Sequence, residues 1–264
     1  SGIGHIRTVR SILFRAPQLE QYLEKGFTQF NIVQPDFEAF LTTYADGRWV
    51  LMRTMTKDDN NFETNDDDAL RTMISKAIGR TDLDIELIGV GKWELKAEIA
   101  DQFSVGRVFL VGDAAHTLPP TRGGYGANTG IEDAHNLAWK LASVVRHKSH
   151  PKLLETYDAE RRPIAWLRYR QTFSRNDYAQ YATDKDKMEV MEEVAVELGQ
   201  LLRSTAVIGT DDQMPPAMRP DQWHGQPGTR APHLWVNETT ERMSILDFFQ
   251  REWVLVAGDS TVIS

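Results

Sequence analysis

A glycine–aspartate pair, two prolines and a cluster of glycines stand together between residues 106 and 142. The pair Gly112-Asp113 follows an apolar run, so we expect the carboxylate of Asp113 at the end of a buried strand. An ionised carboxylate accepts hydrogen bonds, and a ligand rich in hydroxyl groups supplies the matching donors. An isolated pair of this kind would more often cap a local turn, but the ordered run around it favours a ligand-binding aspartate.

The loop after this pair suits close approach to a flat ligand. It combines Pro119 and Pro120 with several glycines, among them Gly124 and Gly126. Glycine lets the backbone approach a planar ring closely, and proline stiffens the chain. The helix predicted next points its N-terminus at the loop, with free N–H groups and about half a positive charge. The alternative is a glycine-rich loop that starts a helix and binds nothing.

The whole run resembles the second flavin-binding motif of the FAD-dependent aromatic hydroxylases, the p-hydroxybenzoate hydroxylase-like monooxygenases. The resemblance implies FAD as cofactor and NAD(P)H as co-substrate, with Asp113 on the ribityl chain. It also implies that the helix N-terminus stabilises the reduced, anionic flavin and that Pro119 lies near the carbon that reacts with oxygen. The cofactor-binding residues it implies are Gly112, Asp113, Pro119, Gly124, Gly126, Ala127 and Asn128, the last three through their backbone.

Two features depart from that family. The commonest form of the motif runs Pro-Pro-Thr-Gly-Gly-aromatic-Gly, and here Arg122 is inserted; solvent or a local salt bridge is its favoured environment, over substrate or phosphate. The Gly-x-Gly-x-x-Gly fingerprint, which would hold the ADP half of FAD, is absent from the sequence. The first four residues do not replace it, because no strand precedes them and the spacing is wrong.

Other polar residues of the run are interpreted as structural. His116 is a possible general base, but the favoured role is to fix the loop by a hydrogen bond. His135 is expected at the surface or in a helix contact, and neither histidine has metal-ligand spacing with a carboxylate. Residues 160–163, Glu-Arg-Arg-Pro, also match the family, and their charges are interpreted as structural pairs. No metal site and no individual catalytic residue is predicted.

Composition excludes several functional classes. The net charge of −8 argues against nucleic acid or an anionic membrane surface as the main partner. The absence of cysteine excludes disulfides, thiolate nucleophiles and cysteine-ligated metals. No apolar run approaches the roughly 20 residues that span a bilayer. We expect a cytoplasmic protein whose partner is an aromatic small molecule.

The elements that must position this run begin with an antiparallel sheet. Alternating polar and apolar residues predict its strands, with Asp46-Gly47 as a hairpin turn. The predicted strands are residues 27–33, 37–44, 48–54 and 85–90. Among the residues that would line a pocket, Phe30, Trp49 and Met52 are more readily explained as core.

A helix interrupts this sheet in the sequence. Residues 58–68 are acidic and predict a loop, at whose end Asp66 can cap a helix that Gly79 ends. The apolar positions of this helix are Leu70, Met73, Ile74, Ala77 and Ile78.

The glycine-rich loop is predicted to lie between a strand and a long helix. Residues 105–111 are mostly apolar, as in a strand covered on both faces. Thr129 and Glu132 have the spacing of a capping box at the start of the helix. The expected buried face of the helix is Ile131, Ala134, Ala138, Leu141 and Val145.

Weaker signals follow this helix. Pro151 can open a helix that continues through Leu153, Leu154 and Tyr157 and that Pro163 should kink. Residues 186–203 predict an amphipathic helix, prolines between residues 215 and 232 predict a linker, and residues 253–257 predict a short strand. The apolar positions of the amphipathic helix are Met188, Met191, Val194, Leu198 and Leu201.

These elements predict a mixed α/β (α+β) fold. It would comprise a partial FAD-binding sheet and an antiparallel substrate-domain sheet, followed by helices and the start of a thioredoxin-like domain. That last domain is implied by a resemblance of residues 226–233 to the larger phenol and polyketide hydroxylases. The expected divisions are a substrate-binding sheet domain (1–100), the C-terminal part of the FAD-binding domain (101–180), a helical segment (181–213), the linker (214–232) and the thioredoxin-like start (233–264).

The leading hypothesis is an FAD-dependent monooxygenase that hydroxylates a phenolic or polyketide substrate with NAD(P)H and O2. A Baeyer–Villiger oxygenation or a halogenation on a related scaffold stays open. The alternative is a catalytically silent fragment that binds an aromatic ligand or assembles with a separate N-terminal chain. Since the ADP-binding fingerprint is absent, we expect the chain alone to purify colourless and inactive until a missing N-terminal segment is supplied. An exposed sheet edge would favour association, including a homo-oligomer.

Overall fold

The computed structural model describes residues 1–44, 46–55, 65–120, 124–238, 241–249 and 253–254. The chain divides into two compact units: the sheet unit, Gly2–Ala97, and the helical unit, Glu98–Ser264 together with Ser1. Helices and antiparallel strands are both present, which confirms the predicted mixed fold class. Among the helices in the described part of the chain, none is long and apolar enough to cross a membrane.

The sheet unit is built on five strands in the order β2-β3-β4-β1-β5. They are β1 (Gly2–Arg15), β2 (Gln29–Gln34), β3 (Phe37–Thr43), β4 (Arg48–Thr54) and β5 (Glu86–Ile99). A short helix, α1 (Glu20–Glu24), follows β1. The pairs β2–β3 and β3–β4 are antiparallel, as predicted. β1, which was not predicted, pairs antiparallel with β4, and β5 is longer than predicted.

One face of the sheet packs against α2 (Asp67–Ile78) to form an apolar core. Across β1 and β4, Ile12 faces Leu51 and Phe14 faces Trp49, and all four side chains are buried. Phe30 packs partly buried on this core, whereas Met52 lies half-buried on the opposite face. The core interpretation is therefore confirmed for Trp49 and Phe30. From α2 the core receives Leu70, Ile74 and Ala77, with Met73 and Ile78 at its margin.

The ends of α2 follow from local chemistry. The side chain of Asp66 accepts a hydrogen bond from the backbone N–H of Ala69 at 2.9 Å, as an N-cap should. Gly79 ends the helix at φ 75°, where a residue with a Cβ would be strained. Both predictions are confirmed. Of the predicted acidic loop, residues 58–64 lie outside the described residues, and α2 begins at Asp67.

The predicted turn between β3 and β4 is also present. Gly47 has φ 81°, and the carboxylate of Asp46 accepts a hydrogen bond from the N–H of Arg48 at 3.2 Å.

The helical unit contains three helices and several short strands in its described part. The helices are α3 (Tyr125–Val145), α4 (Thr156–Ser174) and α5 (Glu193–Leu198). The strands are β6 (Ser104–Val105), β7 (Val108–Phe109), β8 (His116–Thr117), β9 (Trp235–Glu238) and β10 (Glu241–Ser244). The last two residues of β5 pair with β8. Pro151 opens a 3-10 turn (Pro151–Glu155), as its position predicts, and α4 continues through Pro163.

The buried strand expected at residues 105–111 is wrong. The chain forms only the β6–β7 hairpin, in which Val105 pairs with Val108. These two side chains are 63% and 64% exposed. An apolar run indicates that a segment prefers burial. A strand covered on both faces also needs neighbouring strands in its sheet, and in the described part of the chain β6 and β7 pair only with each other.

The predicted buried face of α3 is also wrong. Ile131 is 68% exposed and Val145 is 72% exposed, and Ala134 and Ala138 face solvent too. Thr129 does not cap the helix, because its hydroxyl donates to the carbonyl of Tyr125 one turn earlier. The buried residues of α3 are Tyr125, Thr129, Asp133, Asn136, Leu137 and Lys140, so the helix buries a mainly polar face.

The amphipathic helix expected at residues 186–203 shrinks to α5. Side chains of α4 take the backbone bonds that a longer helix would need. Gln171 donates to the carbonyl of Glu189 at 2.8 Å and accepts from the N–H of Met191 at 2.9 Å. Ser174 accepts from the N–H of Met188 at 2.8 Å. The preceding segment is therefore held extended against α4, and the predicted helix is wrong there.

The proline-rich segment packs within the helical unit. The N–H of Met218 donates to the carbonyl of Gly199 at 3.0 Å, and the indole of Trp223 donates to the same carbonyl at 2.7 Å. Trp223 is only 9% exposed. Of the strand predicted at residues 253–257, Trp253 and Val254 have no regular structure, and the rest lies outside the described residues.

Candidate functional site

The Gly112-Asp113 pair lies in a 3-10 turn (Gly112–Ala114) that touches the backbone of α3. Gly112 has φ 59°, a conformation that favours glycine. A Cβ added to Gly130 of α3 would lie 3.0 Å from the Cα of Gly112, so two glycines are needed for this contact. Asp113 is exposed, and none of the described residues forms a hydrogen bond or an ion pair with its carboxylate.

The N-terminus of α3 is open. Gly124 is its N-cap at φ 61°, no side chain of the described residues caps the first turn, and the first turn contains no acidic residue. The N–H of Asn128 is bonded to the carbonyl of Gly124, which leaves the earlier N–H groups of the helix to other acceptors. Ala127 is exposed at this end. The carboxylate of Glu197 in α5 lies nearby and accepts a hydrogen bond from the side chain of Asn128 at 3.3 Å, but it does not cap the backbone of the first turn. The positive end of the helix dipole is therefore available to an anionic group of a ligand.

The proline side of the loop lies against the same helix turn. A Cβ on Gly126 would lie 3.6 Å from the carbonyl oxygen of Leu118, and the next residue, Pro119, is buried. Arg122, whose environment is predicted above, lies outside the described residues. The structure therefore gathers the sequence-predicted residues around the N-terminal part of α3: Gly112, Asp113, Pro119, Gly124, Gly126, Ala127 and Asn128.

These residues fit the flavin that the resemblance implies. No described side chain caps the helix end, so its N–H groups can receive an anionic ring edge. Among the described residues the carboxylate of Asp113 has no partner, so its oxygens can accept hydrogen bonds from hydroxyl groups.

His116 is buried behind this site and does not face it as a base. Its Nε2 lies 2.7 Å from Oδ2 of Asp133, and both side chains are fully buried. Burial raises the pKa of Asp133, but the bonds to His116 and Arg161 outweigh burial and hold that pKa below its usual range. This geometry supports the loop-fixing role and not the general-base role. His135 is exposed, as expected.

An ion network ties the helix end to α4. Nε of Arg161 donates to Oδ1 of Asp133 at 2.8 Å, and its Nη2 donates to Glu132 at 2.9 Å. Arg168 is fully buried and donates to the hydroxyl of Thr129 at 2.8 Å and to Glu132 at 2.9 Å. Through these bonds, α4 fixes the segment of α3 from Thr129 to Asp133. The sequence analysis missed Arg168, because an arginine inside a helix gives no sign of burial.

A second buried pair supports the middle of α3. Nζ of Lys140 donates to Glu160 at 2.6 Å, and Glu160 also accepts from Asn136 and Ser204 at 2.7 Å each. Burial lowers the pKa of Lys140, while the three donors hold the pKa of Glu160 below its usual range against burial. The structural pairing predicted for the charges of residues 160–163 is confirmed, with Arg162 bonded to Asp158.

Among the described residues, no group of three or more histidine, aspartate and glutamate side chains is placed to hold a metal ion.

Comparisons with known proteins identify the family of the chain. A family model described as "FAD binding domain" matches residues 2–172. A putative polyketide hydroxylase of Streptomyces halstedii is 35% identical over 97% of this chain and 48% of the relative. A 4-methyl-5-nitrocatechol 5-monooxygenase of Burkholderia sp is 41% identical over 70% of this chain and 35% of the relative.

A solved structure gives the same result. Aklavinone-11 hydroxylase in a ternary complex with FAD and aklavinone matches with a TM-score of 0.78 and 31% identity, over 93% of this chain and 46% of that chain. The chain thus spans less than half the length of these relatives.

Proposed function

Since this chain belongs to the FAD-binding domain family, we propose that it contributes the flavin-edge site of an FAD-dependent aromatic monooxygenase that uses NAD(P)H and O2. The observation that carries the proposal is the N-terminus of α3, which no described side chain caps, together with the contact between this helix and the Gly112-Asp113 turn. Within the described part of the chain, the carboxylate of Asp113 has no partner. The matched region includes both elements.

The site residues have separable roles in this proposal. When bound and reduced by NAD(P)H, the flavin supplies the activation of O2 and the transfer of one oxygen atom to the ring. The backbone N–H groups at Gly126 and Ala127 hold negative charge at the ring edge, because they are oriented before the charge develops. Asp113 accepts hydrogen bonds from cofactor hydroxyl groups. Pro119 limits the space beside the ring and offers no N–H of its own.

The proposed substrate is a phenolic or polyketide aromatic compound. The names of the relatives support this class: a polyketide hydroxylase, a nitrocatechol monooxygenase and a structure with aklavinone. The sheet unit also carries an apolar surface on the face opposite α2. There Phe40 pairs across the strands with Met52, both half-buried. A flat surface of this kind suits contact with an aromatic ring.

The test of the cofactor site is a flavin titration followed by fluorescence quenching. Asp113→Ala should weaken binding by about 1.5–3 kcal/mol for each charge-assisted hydrogen bond that is lost, roughly 10- to 150-fold. Asp212→Ala is the matched control, since Asp212 is equally exposed and has no partner among the described residues. Equal affinity of the two variants would remove Asp113 from the site.

The test of the reaction is the transfer of oxygen from isotopically labelled O2 to a simple phenol. Supplied with the missing N-terminal segment and loaded with FAD, the protein should oxidise NAD(P)H and place one labelled oxygen atom in the product. A metal chelator should leave the rate unchanged. Activity that a chelator abolishes would overturn the proposal.

A further inference from the structure

The strongest unassigned feature of the helical unit is a turn that follows α4 and reaches both ends of the glycine-rich loop. The N–H of Tyr178 donates to the carbonyl of Arg175 at 3.1 Å, which places the two side chains one turn apart. The hydroxyl of Tyr178 donates to the carbonyl of Pro120 at 2.9 Å. Nη2 of Arg175 donates to the hydroxyl of Tyr125 at 3.1 Å. The turn between Arg175 and Tyr178 thus bonds to Pro120 on the proline side of the loop and to Tyr125, the first residue of α3.

The tyrosine side chain in each contact is buried. Tyr178 is 5% exposed and packs edge-on against Phe173, with ring centroids 6.1 Å apart. Tyr125 is 1% exposed, and the guanidinium of Arg168 lies 6.0 Å from the centre of its ring. Both bonds are long-range: the hydroxyl of Tyr178 reaches Pro120 in the loop, and Arg175 reaches the hydroxyl of Tyr125 in α3. The turn also lies beyond residue 172, where the match to the family model ends.

We propose that Tyr178 and Arg175 are positioning residues that fix Pro120 and Tyr125, which flank the loop centre, where they can receive the flavin. The inference rests on the proposed function for the identity of the ligand, whereas the two contacts themselves are hydrogen bonds within the protein. Fixing the backbone costs conformational entropy. Residues that are fixed before binding spare the ligand part of that cost, so flavin affinity rises.

The experiment uses Tyr178→Phe, with Tyr181→Phe as its matched control. Tyr181 lies in the next turn, and its hydroxyl has no partner among the described residues. The first measurement needs no flavin: it is the rate of trypsin cleavage between Arg122 and Gly123, relative to cleavage at Lys148. Tyr178→Phe should raise this ratio several-fold, and Tyr181→Phe should leave it unchanged.

The second measurement is flavin affinity and the absorbance spectrum of the bound flavin. Tyr178→Phe should weaken binding roughly 2- to 10-fold, as expected for one lost hydrogen bond. Arg175→Met should act in the same direction at the other end of the loop, and Arg175→Lys should restore part of the affinity.

The outcomes separate the two proposals. If Tyr178→Phe matches Tyr181→Phe in both measurements, the positioning role is overturned. A lowered melting temperature with unchanged cleavage and unchanged flavin affinity overturns it as well, because that is the result of a purely structural role. Faster cleavage with unchanged flavin affinity supports the hold on the loop and counts against the proposed flavin site.

Discussion

The two units of this protein both bury apolar side chains, but they differ in how much charge they bury as well. The sheet unit buries an apolar cluster in which Ile12, Trp49 and Ile74 are fully covered. In the helical unit, α3 and α4 instead bury charged side chains such as Lys140 and Arg168, each paired with carboxylates. An apolar core tolerates any partner of suitable shape, whereas a buried charge requires its specific counterion. The difference suggests that the helical unit depends on a fixed geometry around the loop.

The largest expected effect comes from stranding one buried charge. Lys140→Met leaves Glu160 buried without its cation and should lower the free energy of unfolding of the helical unit by about 3–5 kcal/mol. Urea denaturation followed by hydrogen exchange in each unit measures this loss separately. The sheet unit should be unaffected.

A double variant sharpens that result. In Lys140→Met with Glu160→Gln, the amide oxygen can accept from Asn136 while the amide NH2 donates to the hydroxyl of Ser204, without a buried charge. Most of the lost stability should return. A double variant as unstable as the single one would show that Lys140 acts by packing and not by charge.

A smaller effect is expected from acid. Asp133 and Glu160 have pKa values held below their ordinary 3.8 and 4.5. A lowered pKa in the folded state contributes stability that is complete above the ordinary value and is lost as the pH falls below it. As the pH falls below about 4.5, the helical unit should therefore lose stability before the sheet unit does.

Hydrogen exchange at pH 3 to 6 measures this difference between the units. Asp133→Asn is the control, since an amide does not titrate, and it should flatten the pH dependence of the helical unit. The lowered pKa values of the sheet unit, those of Asp46, Asp82 and Glu94, belong to surface groups that solvent screens. Parallel acid unfolding of both units would remove the contrast drawn here.

The smallest effect probes the sheet unit through its backbone. Gly79→Ala should cost about 1–2 kcal/mol, because a Cβ at φ 75° is strained although no atom lies within 4 Å of it. Gly89→Ala is the matched control: it has equally open space and no positive φ. Equal stability of the two variants in a thermal melt would show that the end of α2 relaxes freely.

Two helices show how far the sequence predicts this fold. In α2 the apolar residues Leu70, Ile74 and Ala77 are buried where periodicity places them, since the opposing sheet is apolar. In α3 the same argument selects Ile131 and Val145, which are exposed. Burial in α3 follows the charges of α4, and a pairing between distant residues leaves no periodic signal in either helix.

The candidate site shows the same division. The sequence by itself determined the family and the glycines that allow the turn at Gly112 to touch α3, because a glycine's conformational freedom is a local property. Only the tertiary structure decided that Arg168, Arg175 and Tyr178 hold that end and its loop, because their partners lie about 40 to 60 residues away in the chain. Local rules specify what the backbone can do, and long-range hydrogen bonds specify which conformation it keeps.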